Sequence, residues 1–326
     1  MKQQNFLFVE LVSSIFLLII LIGNFMGLLY ISDGNLAVSL LGSLFLVICY
    51  FFVIQMLKKN KEAMYKNKFM HSSILFWVFF LMLGFVSFTL MSHFINIEYN
   101  CKDQIKDEAT QKIKLVDSLS AVYQKRAKAD MLNFEAQLKT TLTQYQSTKS
   151  NFLKDSLTKD PYMVDATVLS NPNFIDVSQV AVAKLTPIQL KITSNIKNID
   201  STIKLNSRKY QAVFDNWKRL SLMASYSKLN QYVEDNIRML NLKISELPLD
   251  KTPVNVTYNE GQIPLNNPSK LNKLYPPKQL LPLFIIAIIH LFILIPFLLH
   301  QVRGYKSSSS PKKSKQSKST TGTIEI

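Results

Sequence analysis

The chain has 326 residues, 38 Lys+Arg against 22 Asp+Glu for a net charge of +16, and 48% hydrophobic residues, a fraction ordinary for a globular protein. Only 8 Gly and 2 Cys are present, which excludes Cys-stapled modules and zinc clusters and argues against glycine-rich nucleotide loops. What distinguishes the sequence is placement: the apolar residues are gathered into blocks separated by polar chain, the signature of an all-α membrane protein.

The first block, residues 6–31, exceeds a signal peptide's apolar core, lacks a small-residue cleavage site and is followed at once by another span. It reads as a retained anchor. Residues 36–57 and 69–95 form the second and third spans, each longer than the roughly 20 helical residues needed to cross hydrocarbon. Glu10 lies about one turn into the first span, close to its polar end. Ionisable groups in a bilayer are costly and often functional, so Glu10 is a candidate intramembrane site. Asn24, Ser43 and Ser87 are polar residues of the same three spans and serve packing or hydrogen bonding.

Residues 96–278 form a long polar insert. No breaker separates the third span from residues 102–157, a stretch without Pro or Gly in which apolar side chains recur every eleven positions. One row is Ile105, Val116, Ala127, Leu138; another is Tyr123, Phe134, Tyr145. Eleven residues make 3.67 per turn, so the seam stays nearly straight, and 56 residues span roughly 80 Å. Residues 160–186, with Asp160-Pro161 and Asn171-Pro172-Asn173, read as the tip where the chain reverses. A second helix is expected over 187–247, opened by Pro187 in its first turn. Its near-heptad seam runs Ile196, Ile199, Ile203, Asn206, Tyr210, Val213, Trp217. Asn206 either fixes register or marks a solvated break. The expected product is an antiparallel helical hairpin, a coiled coil, with Tyr123, Phe134, Tyr145, Ile196, Ile203, Tyr210 and Trp217 as interface candidates. Residues 248–278 are Pro-rich and return to the membrane; residues 254–258 alternate, as a short strand or an extended connector.

The fourth span covers 280–299 within a unit 279–300. His290 sits near its middle, where a proton relay or motor contact and a neutral imidazole bonded to a neighbouring helix are both open. Residues 301–326 are Ser/Lys/Thr-rich and expected to be disordered. Basic residues cluster before the first span (Lys2), between the second and third (Lys58, Lys59, Lys61, Lys66, Lys68) and after the fourth (Lys312, Lys313, Lys315 among others), whereas the link 32–35 carries only Asp33. By the positive-inside rule both termini are cytoplasmic and residues 96–278 lie across the membrane. Lys58, Lys59, Lys312, Lys313 and Lys315 become candidate contacts for anionic lipid or an acidic partner.

Chemistry is hard to place. Metalloprotease, nucleophile-elbow, P-loop and CxxC motifs are all missing, and none of the four histidines falls within 96–278. Stalk carboxylates such as Asp107/Glu108 and Glu234/Asp235 read as solubilising residues of an exposed face. Cys49 and Cys101 lie at different depths, so each is expected as a free thiol, with Cys101 open to cross-linking a second copy. No cofactor, metal or nucleic-acid partner is expected, and no enzymatic activity. The tetraspanin layout is similar, but that family needs several cysteines in its large loop. A sensor would have to signal through a partner, because only residues 301–326 follow the last span.

The remaining expectation is a structural scaffold with a stiff rod, forming a homo-oligomer, with an ion-coupled motor or transport subunit using Glu10 and His290 as the alternative. In layout, with spans at 6–31, 36–57 and 69–95, a long helical insert, a span at 280–299 and a basic tail, the chain resembles the TssN family, inner-membrane components of the Bacteroidota type VI secretion system. That resemblance implies a non-enzymatic part of a bacterial envelope complex, with periplasmic and other membrane proteins as partners.

Overall fold

The computed structural model describes residues 2–64, 70–278 and 280–300. Lys66, Lys68 and the tail with Lys312, Lys313 and Lys315 lie outside the described residues. Among the described residues the chain is all-helical, with no β-strand, and four helices are long and apolar enough to cross a membrane. The first three are α1 (Lys2–Ile31), α2 (Leu36–Met64) and α3 (Met70–Asn96), joined by the helix Leu280–Leu298. They pack against one another as a bundle. Each is apolar all round, the pattern of a helix suited to hydrocarbon on its outer face; Leu41 and Phe85 face outward. Small residues let the backbones meet: a Cβ on Gly27 would stand 2.5 Å from the Leu90 carbonyl oxygen, so α1 and α3 touch main chain to main chain there.

The third span does not stop at the membrane. It passes through a single π-helical turn, Ile97–Cys101, into α4 (Lys102–Thr148), whose 47 residues extend about 70 Å. The eleven-residue seam is its buried face: Ile105, Val116, Ala127 and Leu138 are fully enclosed, as are Tyr123, Phe134 and Tyr145 to within a few per cent. The helix ends earlier than the composition suggests. Lys149 turns left-handed (φ 55°) and its N–H donates to Tyr145 O, the αL cap that any residue can form when packing beyond it demands. A separate helix α5 (Asn151–Thr158) follows, and the tip continues through a 3-10 turn at Pro172–Phe174.

The downward helix α6 (Val177–Asp215) starts ten residues before the expected Pro187. Asp176 is its true N-cap, the side chain accepting from Gln179 N–H at 3.0 Å, while Pro187 lies inside the helix. Its core row is Ala181, Ile192, Ile203 and Phe214, spaced eleven apart like the row on α4. The expected heptad is therefore displaced: Ile196, Tyr210 and Val213 are only partly buried, and Ser207 rather than Asn206 enters the core.

The largest correction concerns 187–247, which is not one helix. α6 has already descended roughly 58 Å from the tip when it ends, and 32 further residues in line would run deep past the stalk foot. The chain instead breaks at Trp217 (φ 48°), runs along the foot as α7 (Arg219–Ser227), and climbs again beside α4 as α8 (Leu229–Ser245). Contacts fix the directions. Ser120 meets Asp200 and Lys106 meets Asp215 O, so α6 is antiparallel to α4; Lys112 meets Asn230 and Asp130 meets the Leu249 N–H, so α8 is parallel to it. The lower stalk is a three-helix bundle and not a two-helix hairpin. Residues 248–264 then descend as an extended connector in which Val254, Val256 and Tyr258 pack inward and Asn255 and Thr257 outward. α9 (Pro268–Leu274) and α10 (Leu280–Leu298) complete the chain.

Candidate functional site

Two polar assemblies stand out, one at the foot of the stalk and one inside the span bundle. The foot is organised by Glu98, on the π-helical turn, with its side chain only 8% exposed. Its Oε1 accepts from Tyr30 Oη (3.2 Å), Trp217 Nε1 (2.9 Å) and Arg219 Nε (3.0 Å), and its Oε2 from Arg219 Nη2 (3.0 Å). One carboxylate thus ties the end of α1, the α3–α4 joint and the α6–α7 break. A π-turn adds one residue to the helix and re-aims the side chains around it, which is how an acid two residues beyond the span comes to face inward. The ammonium groups of Lys102 and Lys106 stand 5.3 and 6.0 Å from the centre of the Trp217 ring, within cation–π range.

Further ties surround this point. Gly34, in the link between α1 and α2, takes φ +81°, and a Cβ there would stand 2.8 Å from Ala224 N; α7 rests directly on that link. His93 Nε2 bonds to Leu265 O at 2.8 Å, and Asn96 Nδ2 donates to Tyr275 O at 2.9 Å, holding the return segment to the end of α3. Slightly higher, Glu108 accepts from Lys112 Nζ (2.7 Å) and from the Tyr226 hydroxyl. Burial, reinforced by Glu108, pushes the Tyr226 phenol well above its usual range. Glu108 is therefore a structural acceptor and not the solubilising residue expected; Asp107 beside it is exposed. Cys101 is fully buried and free, and Cys49 is partly buried and also free, so the Cys101 sulfur is not placed to cross-link a second copy.

Within the bundle, Glu10 lies 3.2 Å from Lys58 Nζ. Lys59 is exposed, and Lys61 Nζ donates to Phe297 O and Leu298 O (2.9 and 3.2 Å), capping the carbonyl end of α10. His290 is linked to every other span. Its Nδ1–H donates to Ile286 O (2.8 Å), since a carbonyl can only accept, and its Nε2 is 2.7 Å from Tyr50 Oη. Tyr50 Oη also lies 3.1 Å from Ser87 Oγ, which receives Asn24 Nδ2–H (3.0 Å). The chain Asn24–Ser87–Tyr50–His290 takes one residue from each span. Glu10, paired with Lys58, is not part of it.

The interface candidates fall into three places. Phe134 and Tyr145 belong to the tip core, Tyr123 and Ile203 to the long core of the lower stalk with Ile196 and Tyr210 at its edge, and Trp217 to the foot. Asn195 lies against Tyr123 at 3.3 Å, and burial raises the Tyr123 phenol. Sequence reading missed Glu98, Arg219, Tyr30, Tyr50 and Asp130. A Glu just past a span and an Arg just past a buried Trp carry no periodic mark, and only the α6–α7 break brings them together. No protein-family model, curated protein or solved structure matches the chain.

Proposed function

We propose that the protein is a non-enzymatic membrane scaffold whose stalk is geared rigidly to its span bundle, serving as an inner-membrane subunit of a multiprotein bacterial envelope complex of the type VI secretion kind. The observation that carries this reading is the run from Met70 to Thr148, α3 through the π-turn into α4, clamped at the joint by Glu98. A load applied to such a rod reaches the spans without a flexible linker. The lysine distribution supports cytoplasmic termini and a periplasmic residue range 96–278. Phe152 and Phe174, 79% and 84% exposed at the tip, are suited to docking a periplasmic protein. The test is gentle detergent extraction followed by mass and composition of the complex. A large assembly that loses its periplasmic members on Phe152→Ser/Phe174→Ser substitution supports the reading; a lone monomer overturns it.

A second reading, an ion-coupled subunit, is favoured by the Asn24–Ser87–Tyr50–His290 chain. His290→Phe and Glu10→Gln separate the two: a scaffold assembles and works with both, whereas an ion-coupled subunit loses activity.

A further inference from the structure

At the membrane end of the stalk a crevice of about 310 Å³ opens between the close of α3 with its π-turn and the start of α10. Its lining changes character across a few ångströms. Leu281 and Pro282 form the wall that continues into the outward-facing flank of Leu280, Leu283 and Phe284, while Ser92, Tyr99, Asn100 and Lys278 form the wall toward the stalk. Ser92 is 7% exposed, and its hydroxyl makes no hydrogen bond among the described residues. Tyr99 is 79% exposed. Lys278 is exposed and forms no ion pair among the described residues.

We infer that this crevice holds the phosphate headgroup of a phospholipid from the stalk-side leaflet. Depth comes first: the apolar run of α3 ends, and that of α10 begins, at this level, which is where phosphates lie in a bilayer. Tyrosine at that level matches the interfacial preference of amphipathic rings, and lysine there keeps its stem in the apolar layer and its ammonium at the headgroups. The amino end of α10 adds positive potential on the same side. A headgroup phosphodiester would take its charge partner from Lys278 and hydrogen bonds from Ser92, Tyr99 and Asn100, while the acyl chains follow the Leu281 flank. A soluble phosphate offers the same headgroup chemistry but leaves that apolar wall uncovered, so the lipid is the better fit. The site lies on the face opposite the one where the tail lysines would meet lipid, and it stands or falls independently of the scaffold role.

The test is native mass spectrometry of the full chain released from nanodiscs of phosphatidylglycerol, of phosphatidylcholine and of an uncharged glycolipid. One phospholipid should stay bound through delipidation with either phosphate-bearing lipid and none with the glycolipid. Lys278→Gln should lower retention about fivefold, the weight of one lysine at a membrane surface. Ser92→Leu, which fills the crevice without changing charge, should abolish retention, and Lys273→Gln on α9 should leave it unchanged. Because Lys278 is exposed, its variant folds even if the serine variant does not. Equal retention in Lys278→Gln, equal retention of the glycolipid, or full displacement by inorganic phosphate alone each overturns the inference.

Discussion

Arg219 grips Glu98 with two parallel bonds, Nε to one carboxylate oxygen and Nη2 to the other, each 3.0 Å long. The pair is asymmetric: the arginine is half exposed and the glutamate 8% exposed. Water screens the first partner and not the second. Arg219→Ala should then be the more damaging change, since the buried carboxylate keeps its indole and phenol donors but loses its countercharge; the expected loss is about 3–5 kcal/mol. Glu98→Ala releases a guanidinium that water can solvate, strands the indole and phenol donors of Trp217 and Tyr30, and should cost about 1–3 kcal/mol. Thermal unfolding in detergent gives the ranking, and a negligible effect of either change would mean that Glu98 is not the hub of the foot.

Asp130 does comparable work at the top of α8. It is 2% exposed and accepts the main-chain N–H groups of Leu249 and Asp250, where the climbing helix gives way to the extended connector. Removing it in Asp130→Ala leaves two inward N–H groups without an acceptor, about 1–3 kcal/mol. Asp130→Asn keeps one oxygen and should lose less. Hydrogen exchange at residues 249 and 250 should quicken in the alanine variant while exchange at the tip stays slow; uniform change along the stalk would contradict this local role.

Cys101 should be inert in the folded protein. Burial lifts its thiol from 9.0 to about 11, so it is neutral at physiological pH and out of reach of reagents. The sign of the linkage follows: the fold prefers the thiol form, so this contribution is intact below pH 9 and is lost as pH rises toward 11. Maleimide at pH 7.5 should label Cys101 only after unfolding. The stability difference between Cys101→Ala and the parent should shift in the variant's favour between pH 9 and 11.

The spans were legible because hydrocarbon imposes a length and a composition that little else satisfies: Leu280–Leu298 shows as a helix from its apolar content alone. The α4 seam was legible because one period persists from Ile105 to Tyr145. Legibility failed where tertiary contacts overrode local preference. Nothing in Phe214-Asp215-Asn216-Trp217 is a strong breaker, and α6 ends there because Glu98 and the foot capture the indole. Pro187 looked like a start because proline is at home in a first turn, but Asp176 caps the helix earlier. In the bundle, His290 was visible as an oddity; its partner Tyr50 was not, because tyrosine in a span is unremarked until a neighbour faces it.

Pro187 offers a stabilising substitution. It sits inside α6 with no N–H to give to the preceding turn, a loss that costs about 3 kcal/mol in an ordinary helix interior. Part of that is offset because proline also restricts the unfolded chain. Pro187→Ala should therefore raise the midpoint of thermal unfolding, by about 1–2 kcal/mol in stability. A lower midpoint would mean that the proline ring itself is needed for packing.

The three-helix arrangement of the lower stalk can be separated from a simple hairpin by one distance. Lys191 Nζ and Glu246 Oε2 stand 3.4 Å apart, although 55 positions separate them in sequence. That is possible only because α6 descends, α7 turns at the foot and α8 climbs back to the same level. A continuous helix over 187–247 would hold these residues roughly 80 Å apart. Spin labels on Lys191→Cys and Glu246→Cys, both partly solvent-facing, should therefore report a single short distance in the detergent-solubilised protein. The same labels carry the Trp217 break as a second variable: replacing Trp217 and Glu98 together by alanine removes what holds the left-handed turn, so the distance distribution should broaden while the α4–α6 contact at Ser120 and Asp200 persists. A long distance in the parent would restore the two-helix stalk.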